Sequence, residues 1–503
     1  MEKRKLLKQE LRFHLGLHVL IAIFITIASY VHFPFQSFKG NLVYLAHFLL
    51  LHFSLFGFIY LFSLVGKVFK ILFPILFIIV ASFSFWVYTQ DLTIGVGMIQ
   101  AILETNIDIA VDVFSFQFVF FLLLSLVCIL LFFKFHKNSK KSSIKSPLFF
   151  VAILGVLCFF IVENYKYDAF KNRLPYSVYF GGLKYFKKSK IKLKKIEEDV
   201  FTKENNVHIV LVLGESVRAD HISLNGYHRN TNPLLSQQEN LVSFKKVFTP
   251  FTFTAKSIPQ ILTDKSIYQK EAFLESTSLF SVLNKASFIT EWIGNQSLEK
   301  SYKDIIYSNT TVKLIDKFHS FLSFKKEKDL KLLEYFSADG SLNHNKISTL
   351  HMIGSHWYYN DRVSEEFEVF KPVTSSKHLG SSSHKAIINS YDNTILYLDN
   401  FLNKLIEKLK KSPQKTILIY ISDHGETLGE DGKWLHAQEH VASKNPAMLV
   451  WYSHKFKESY PLKINQLKTK KYDSISTDFL FHSILDLSKI ENYQYKKELS
   501  IFN

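Results

Sequence analysis

VHIVLVLGESVRADHISLNGYHRNTNP, residues 207–233, opens on VHIVLVL (207–213), an almost unbroken apolar run that stops at Gly214. A strand buried on both faces of a parallel sheet has no solvated side, and it reads this way. Similar short runs recur at FITEWI (288–293), ISTLHM (347–352), TILIYIS (416–422) and AMLVWY (447–452), with amphipathic helical stretches between them, notably 387–409. This alternation predicts an α/β domain with a mostly parallel central sheet. Ligands of such folds gather beyond the carboxyl ends of the strands, and polar residues of suitable chemistry stand there. Glu215 follows the first run at once. Asp423 and His424 follow another, in ISDHGETLGEDGKWLH (421–436), and His356 comes shortly after a third, in LHMIGSHWYY (350–359).

A carboxylate after a strand is often only a helix cap. Three strand ends that converge a Glu, an Asp and a His are costly to bury unless a cation binds them. The chain has two cysteines, Cys128 and Cys158, both inside apolar runs. The polar half therefore has neither a disulfide nor a thiolate metal site. Oxygen and imidazole donors suit zinc, with manganese the second choice.

Upstream of about residue 165 the sequence is dominated by Phe, Leu, Ile and Val. Five stretches, 13–31, 42–65, 69–88, 114–133 and 147–162, approach or exceed the roughly 20 helical residues that cross a hydrocarbon core. The first lacks a small-residue cleavage site and is followed by more spans, so it is not a removable signal. Lys3, Arg4, Lys5, Lys8 and Arg12 precede the first span. Lys67 and Lys70 follow the second, and Lys134, Lys137, Lys140, Lys141 and Lys145 follow the fourth. The intervening loops are poor in cations, which predicts that these three segments are cytoplasmic. After an odd number of spans the C-terminal half lies opposite the N-terminus, in a bacterium on the periplasmic side of the inner membrane. His14, His18, His47 and His52 fall within or at the ends of spans, where packing or interfacial roles are expected for a neutral imidazole. Residues 166–200 link the halves. Their Lys-rich, aromatic-rich start reads equally as a segment lying on anionic lipid or as a solvated linker. The formal net charge of +17 is not read as a nucleic-acid footprint, because the lysines cluster beside the spans.

GESVRADHISLNGYHRNTNP, TAKSIP, LHMIGSHWYY, YDNTILYLD, SDHGETLGE with WLH, and the tail STDFLFHSILDL (476–487) together resemble the phosphoethanolamine transferases of the bacterial envelope. That family includes lipid A modifiers and mobile colistin-resistance enzymes, and it belongs to the alkaline-phosphatase/sulfatase superfamily. The resemblance covers nearly the whole chain. It implies five transmembrane helices in 1–165 followed by a sulfatase-like catalytic domain in 201–503. It also implies one tightly bound Zn2+, with a second left open, held by Glu215, Thr254, Asp423 and His424. Thr254 becomes the nucleophile. Spacing alone leaves Thr249, Thr252 and Thr254 equivalent. His356 and His436 are implied to contact the phosphate or a second metal and to protonate the leaving group, while Glu426, Gln296, Ser297 and Lys300 are implied to bind phosphoethanolamine. His440 has no counterpart in the family. The expected donor is phosphatidylethanolamine and the acceptor an envelope glycolipid such as lipid A, another glycan or a protein, with no nucleic acid and a monomeric enzyme.

Two departures stand out. Pro250 and Gln260 occupy positions where relatives carry cysteines, so the nucleophile loop lacks a covalent brace. GSHWYY replaces the common GSHGP form and is expected to put an aromatic pair at the site mouth. The nearest alternative is a phosphoglycerol transferase of the lipoteichoic-acid type, which lacks the GES…NGY…TNP and GSH motifs. A sulfatase would need a Cys or Ser in a C/S-x-P-x-R context, and there is none. A catalytically inactive membrane scaffold would be expected to lose ligands, and none of the matched ones is missing.

Overall fold

The structure is a computed structural model that describes residues 2–31, 38–90, 94–104, 115–137, 142–165, 169–187, 192–268, 275–296, 298–315, 327–338, 344–376, 379–437 and 439–503. The chain divides into two compact units, Met1–Ile99 with Phe114–Lys187, and Gln100–Val113 with Lys188–Asn503.

In the first unit, five helices among the described residues are long and apolar enough to cross a membrane. The first, α1 (Glu2–Ile21), continues through a π turn and a 3-10 turn to Tyr30. It is followed by α2 (Phe38–Ser63), α3 (Gly66–Gln90), α4 (Phe116–Phe135) and α5 (Pro147–Tyr165). These correspond to the five apolar stretches, with ends shifted by a few residues. Their outward faces are apolar: Leu15, Val19 and Ile23 are exposed on the first span while His14 and Thr26 are buried. That inverts the pattern of a soluble helix, as expected where lipid is the solvent. Small residues let α2 and α5 meet backbone to backbone. A Cβ on Gly57 would lie 2.5 Å from the carbonyl oxygen of Ala152, and one on Gly155 would fall even closer to that of Phe53.

The membrane histidines are tied by hydrogen bonds rather than left bare. His14 Nε2 meets Ser142 Oγ at 3.0 Å, His52 Nε2 meets Thr26 Oγ1 at 2.8 Å, and His47 Nδ1 meets Tyr30 Oη at 2.6 Å. At one end of the bundle the buried carboxylate of Glu10 accepts from Tyr60 Oη at 2.7 Å, Ser146 Oγ at 2.6 Å and the backbone N–H of Ser143 at 3.1 Å. Within the segment expected to link the halves, Tyr176–Lys187 forms a further helix, α6.

The second unit is built on a seven-stranded sheet. In chain order its strands are β1 (Val207–Gly214), β2 (Leu241–Phe244), β3 (Ile289–Gly294), β4 (Thr311–Leu314), β5 (Lys346–His351), β6 (Lys415–Ser422) and β7 (Met448–Tyr452). In space they run β2-β7-β6-β1-β5-β3-β4. The run β6-β1-β5-β3-β4 is parallel throughout, and β7 alone runs against its neighbours β6 and β2. β1 is buried along its whole length, as the unbroken apolar run requires. Each face of the sheet carries its own apolar core, one including Leu211, Leu213, Ile419 and Ile484, the other Val210, Val212, Leu398 and Leu402. The long helix α8 (His384–Leu409), capped by Ser383 accepting from Ala386 N, lies in the second core. The shorter α7 spans Thr254–Ile261.

Candidate active site

Parallel order places the carboxyl ends of β6, β1, β5 and β3 side by side, and the polar residues that follow each strand converge there. Glu215 comes directly after β1. Ser216, at φ 60°, turns the chain sharply, donates its hydroxyl to Glu215 Oε1 at 2.9 Å and its N–H to Asp423 Oδ1 at 3.2 Å. Asp423 and His424 come directly after β6. One donor atom from each of Glu215, Asp423 and His424 lies within 4.8 Å of the other two, and all three side chains are buried. His424 Nδ1 donates to the carbonyl of Gly425 at 2.7 Å, which leaves Nε2 facing Glu215 Oε1 and Asp423 Oδ2, each at 3.3 Å. This is how a ligating imidazole is held by a second partner.

Thr254 is the first residue of α7, not part of a loop, and its hydroxyl donates to Glu215 Oε2 at 2.8 Å. Thr252 instead gives its carbonyl to Ala437 N at 2.7 Å, and the Thr249 hydroxyl accepts from Phe251 N at 3.3 Å. Of the three threonines, Thr254 is the one whose hydroxyl meets the carboxylate cluster. With no disulfide, α7 is secured through Gln260, which is fully buried and accepts from Thr477 Oγ1 at 2.5 Å.

Burial opposes the charge on every member of the cluster, and the neighbours decide the outcome. Desolvation and then Glu215 push the Asp423 carboxyl up to about 7. Desolvation would raise Glu215 too, but His424, with His356 and His436 beyond it, holds it well below the usual carboxylate range. Burial would strip the proton from His424, yet Asp423 and Glu215 carry it up to about 10. The chemistry of the donor set fits a dication. Asp423 Oδ2 and His424 Nε2 have no hydrogen-bond partner despite complete burial, and a small positive ion among them would satisfy both.

The ring of His436 lies 5.6 Å from that of His424 and 5.0 Å from that of His356, and its Nδ1 is 4.0 Å from Glu426 Oε1. Burial, then the neighbouring His356 and His424, pull His436 down to about 3. His356 Nδ1 donates to the Trp357 carbonyl at 2.6 Å, which fixes the orientation of the ring. Glu426 is fully buried; desolvation, with Glu215 and Asp423 adding to it, pushes its carboxyl well above the ordinary range. Gln296 joins the cluster from the end of β3, its Nε2 donating to the Met352 carbonyl at 2.7 Å and to Glu215 Oε2 at 3.3 Å. Lys300 is exposed. Ser297 lies outside the described residues.

The aromatic residues of GSHWYY do not sit at the site mouth. Trp357, Tyr358 and Tyr359 are 4%, 8% and 0% exposed and pack in the core beside Tyr391. Arg362 fixes the backbone there, donating to the carbonyls of His356 and Trp357. Burying three aromatic rings outweighs exposing them to water.

Three supporting groups were not foreseen. Asp329, 1% exposed, accepts from the N–H groups of Ile353 and Gly354, each at 2.9 Å, and from Asn295 Nδ2 at 2.8 Å, so one carboxylate holds the loop before His356 and the loop bearing Gln296. Asp392 on α8 accepts from His221 Nδ1 and Arg229 Nη1, each at 2.7 Å, and from Tyr227 Oη at 2.9 Å. Asp399, two turns on, accepts from Leu234 N and Leu235 N, each at 2.9 Å. YDNTILYLD and NGYHRNTNP are thus two halves of one network. Their recurrence together was the available signal. Asp329 sits in a Lys-rich stretch with no motif to mark it.

The sulfatase family profile matches residues 207–490, the span that holds the parallel sheet with the carboxylates, imidazole and hydroxyl gathered at its carboxyl edge. A second profile, phosphoethanolamine transferase EptA/EptB, matches residues 48–173. Phosphoethanolamine transferase EptA of Helicobacter pylori is 32% identical over 370 residues, covering 69% of this chain and 68% of that protein. The EptA of Escherichia coli strain K12 is 32% identical over 300 residues, covering 57% of this chain; the chain spans about half, 54%, of that relative's length. The integral membrane lipooligosaccharide phosphoethanolamine transferase A of Neisseria meningitidis has the same fold, with a TM-score of 0.83 over 97% of this chain and 98% of that one at 23% identity. The chain belongs to the phosphoethanolamine transferase family.

Proposed function

We propose that this chain is a metal-dependent phosphoethanolamine transferase of the bacterial inner membrane, with its catalytic domain on the periplasmic side. The donor is phosphatidylethanolamine, and the acceptor is an envelope glycolipid such as lipid A, another glycan or a protein. The observation that carries the reading is the Thr254 hydroxyl bonded to Glu215 inside the buried Glu215–Asp423–His424 cluster. Glu215, Asp423, His424 and Thr254 would hold one Zn2+. When bound, that ion would lower the pKa of the Thr254 hydroxyl and neutralise phosphoryl oxygen charge.

The chain's own groups do the rest. Glu215 orients the Thr254 hydroxyl, and the Glu215–Asp423 carboxylate pair, in which Asp423 is the raised member, takes its proton while Oγ1 attacks phosphorus. The bond from phosphorus to the diacylglycerol oxygen breaks, and His356 supplies the proton that oxygen needs, since His436 is held neutral by burial. Phosphoethanolamine remains on Thr254 until the acceptor displaces it, with the same histidine now taking a proton. Glu426 suits the ammonium of the ethanolamine; Gln296, Ser297 and Lys300 suit its phosphate. Family membership and the names of the relatives support the activity.

The test is the full chain in vesicles containing phosphatidylethanolamine. Intact mass is expected to rise by one phosphoethanolamine, mapped to Thr254, and the adduct is expected to disappear when an acceptor is added. A protein that consumes the lipid without ever carrying the adduct would exclude the covalent route.

A further inference from the structure

Ser216 holds a left-handed turn, φ 60°, that an L side chain adopts only when its surroundings impose it. Glu215 depends on that turn, because Ser216 donates its hydroxyl to Glu215 Oε1 and its N–H to Asp423 Oδ1. One atom on another element braces it. Tyr391 Oη, on α8, donates to the Ser216 carbonyl at 2.8 Å and accepts from Arg218 N at 2.9 Å. It thereby joins the two peptide groups on either side of Val217, whose own N–H goes to Ser422 Oγ at 2.8 Å. The Tyr391 ring is held in its turn. It is fully buried, with the rings of His221 and Tyr359 edge-on at 5.3 and 5.4 Å.

Three residues along α8, Thr394 reaches the preceding peptide group. Its Oγ1 donates to the Tyr391 carbonyl at 2.6 Å and so accepts from Ser355 Oγ, also at 2.6 Å. Ser355 N in turn donates to the Glu215 carbonyl at 3.0 Å. Ser216, Ser355, Tyr391 and Thr394 are all buried, so removing either α8 hydroxyl leaves a buried polar group without its partner. Both hydroxyls meet backbone groups or the Ser355 hydroxyl, and neither meets a candidate ligand atom.

We propose that Tyr391 and Thr394 are positioning residues, which hold the two successive peptide groups that follow Glu215 and, through them, the ligand cluster and the Thr254 hydroxyl. Their spacing of three places both on one face of α8. A metal ligand is only as well placed as the groups behind it, and Glu215 has two tasks. Its Oε1 faces His424 Nε2, and its Oε2 takes the hydrogen bond of Thr254. α8 suits the role of support, because it is 26 residues long and its buried face packs into one of the two cores of the sheet. The segment after β1 leaves its strand in a strained turn and draws its rigidity from such a support.

The experiment compares the wild-type full chain with Tyr391→Phe and Thr394→Val, each of which removes the hydroxyl and keeps the shape of the side chain. Asn393→Ala is the control on the same helix, because its amide exchanges hydrogen bonds with Phe370 N and O at 2.9 and 3.0 Å and meets none of the ligand loops. Zinc affinity, read by competition with a chelator, is expected to fall about tenfold in Tyr391→Phe and in Thr394→Val, and kcat for transfer by a similar factor. KM is expected to change little, because neither hydroxyl reaches the substrate. Asn393→Ala is expected to lower the thermal midpoint of the metal-free protein and to leave zinc affinity and kcat as they were. If Tyr391→Phe and Thr394→Val lower that midpoint yet bind zinc and turn over like the wild type, the proposal is overturned, since the hydroxyls then only stabilise α8. Equal losses in Asn393→Ala overturn it as well. Should Tyr391→Phe fail to fold, Thr394→Val decides by itself. The kinetic arm rests on the transferase reading. A wild type that binds zinc but transfers nothing overturns that reading, while the zinc comparison still tests the positioning.

Discussion

At the residue scale the site is set by close approaches that tolerate little change. Gly354 has φ 51°, and a Cβ there would lie 2.9 Å from both the backbone N and O of Glu215. Gly354→Ala is therefore expected to displace Glu215, lowering both zinc affinity, read by competition with a chelator, and transfer activity. The rate loss is expected to be on the order of 100-fold, as misplacement by about an ångström costs. Unchanged zinc affinity would mean that this loop does not position the ligand. Thr254→Ala is expected to abolish transfer, by about three orders of magnitude or more, because the covalent route disappears with the nucleophile. Zinc binding and folding should survive, since three other ligands remain. Thr249→Ala and Thr252→Ala change the same segment without removing the hydroxyl that meets Glu215, and both are expected to stay active. Activity retained by Thr254→Ala but lost in Thr252→Ala would reassign the nucleophile; activity in all three would remove the mechanism.

At the element scale, five of the seven strands were legible as short apolar runs: β1, β5, β6 and β7 are buried along nearly their whole length, and β3 keeps enough apolar residues although Ile289 and Glu291 are only partly buried. β2 and β4 were not legible. LVSF and TVKL are four residues long and alternate between more and less buried positions at the edges of the sheet, and such a pattern does not stand out from a loop. The start of α7 was hidden by Pro259, which argues against a helix interior although here it lies inside one. The ligands on β1 and β6 could be read because each follows its strand without a gap. Asp329 could not, because its partners are backbone N–H groups that no sequence pattern advertises. Asp392 was visible only as part of a motif, and its work is to bind α8 to the loop after β1. Asp392→Ala would leave His221, Tyr227 and Arg229 without their shared acceptor in a buried setting. It is expected to cost about 3 kcal/mol or more, seen as a lower thermal midpoint of the catalytic domain. A change within error would show that water replaces the carboxylate at no cost.

At the scale of the whole molecule, the question that chemistry leaves open is which side of the membrane holds the site. The five apolar helices establish that the chain enters the membrane, and an odd number of crossings separates the first residue from the last. Charge then decides the direction. Lys3, Arg4, Lys5, Lys8 and Arg12 lie before the first span, and Lys134, Lys137, Lys140, Lys141 and Lys145 lie between the fourth and fifth. Cations this dense within short segments are retained on the cytoplasmic side during insertion. The buried Glu10 supports grouping these two segments at one end, since it binds Tyr60, Ser143 and Ser146 together. Residue 140 is therefore expected to be cytoplasmic and residue 503 external. Fusing a reporter that is active only in the periplasm should give signal at 503 and none at 140, and a reporter active only in the cytoplasm should give the reverse. A periplasmic signal at 140 would overturn the topology and put the catalytic unit on the side where the proposed glycolipid acceptor is not displayed. Reversing the charges of Lys134, Lys137, Lys140, Lys141 and Lys145 should weaken the cytoplasmic signal at 140, because the orientation is attributed to those charges together with the N-terminal ones and to nothing in the catalytic unit.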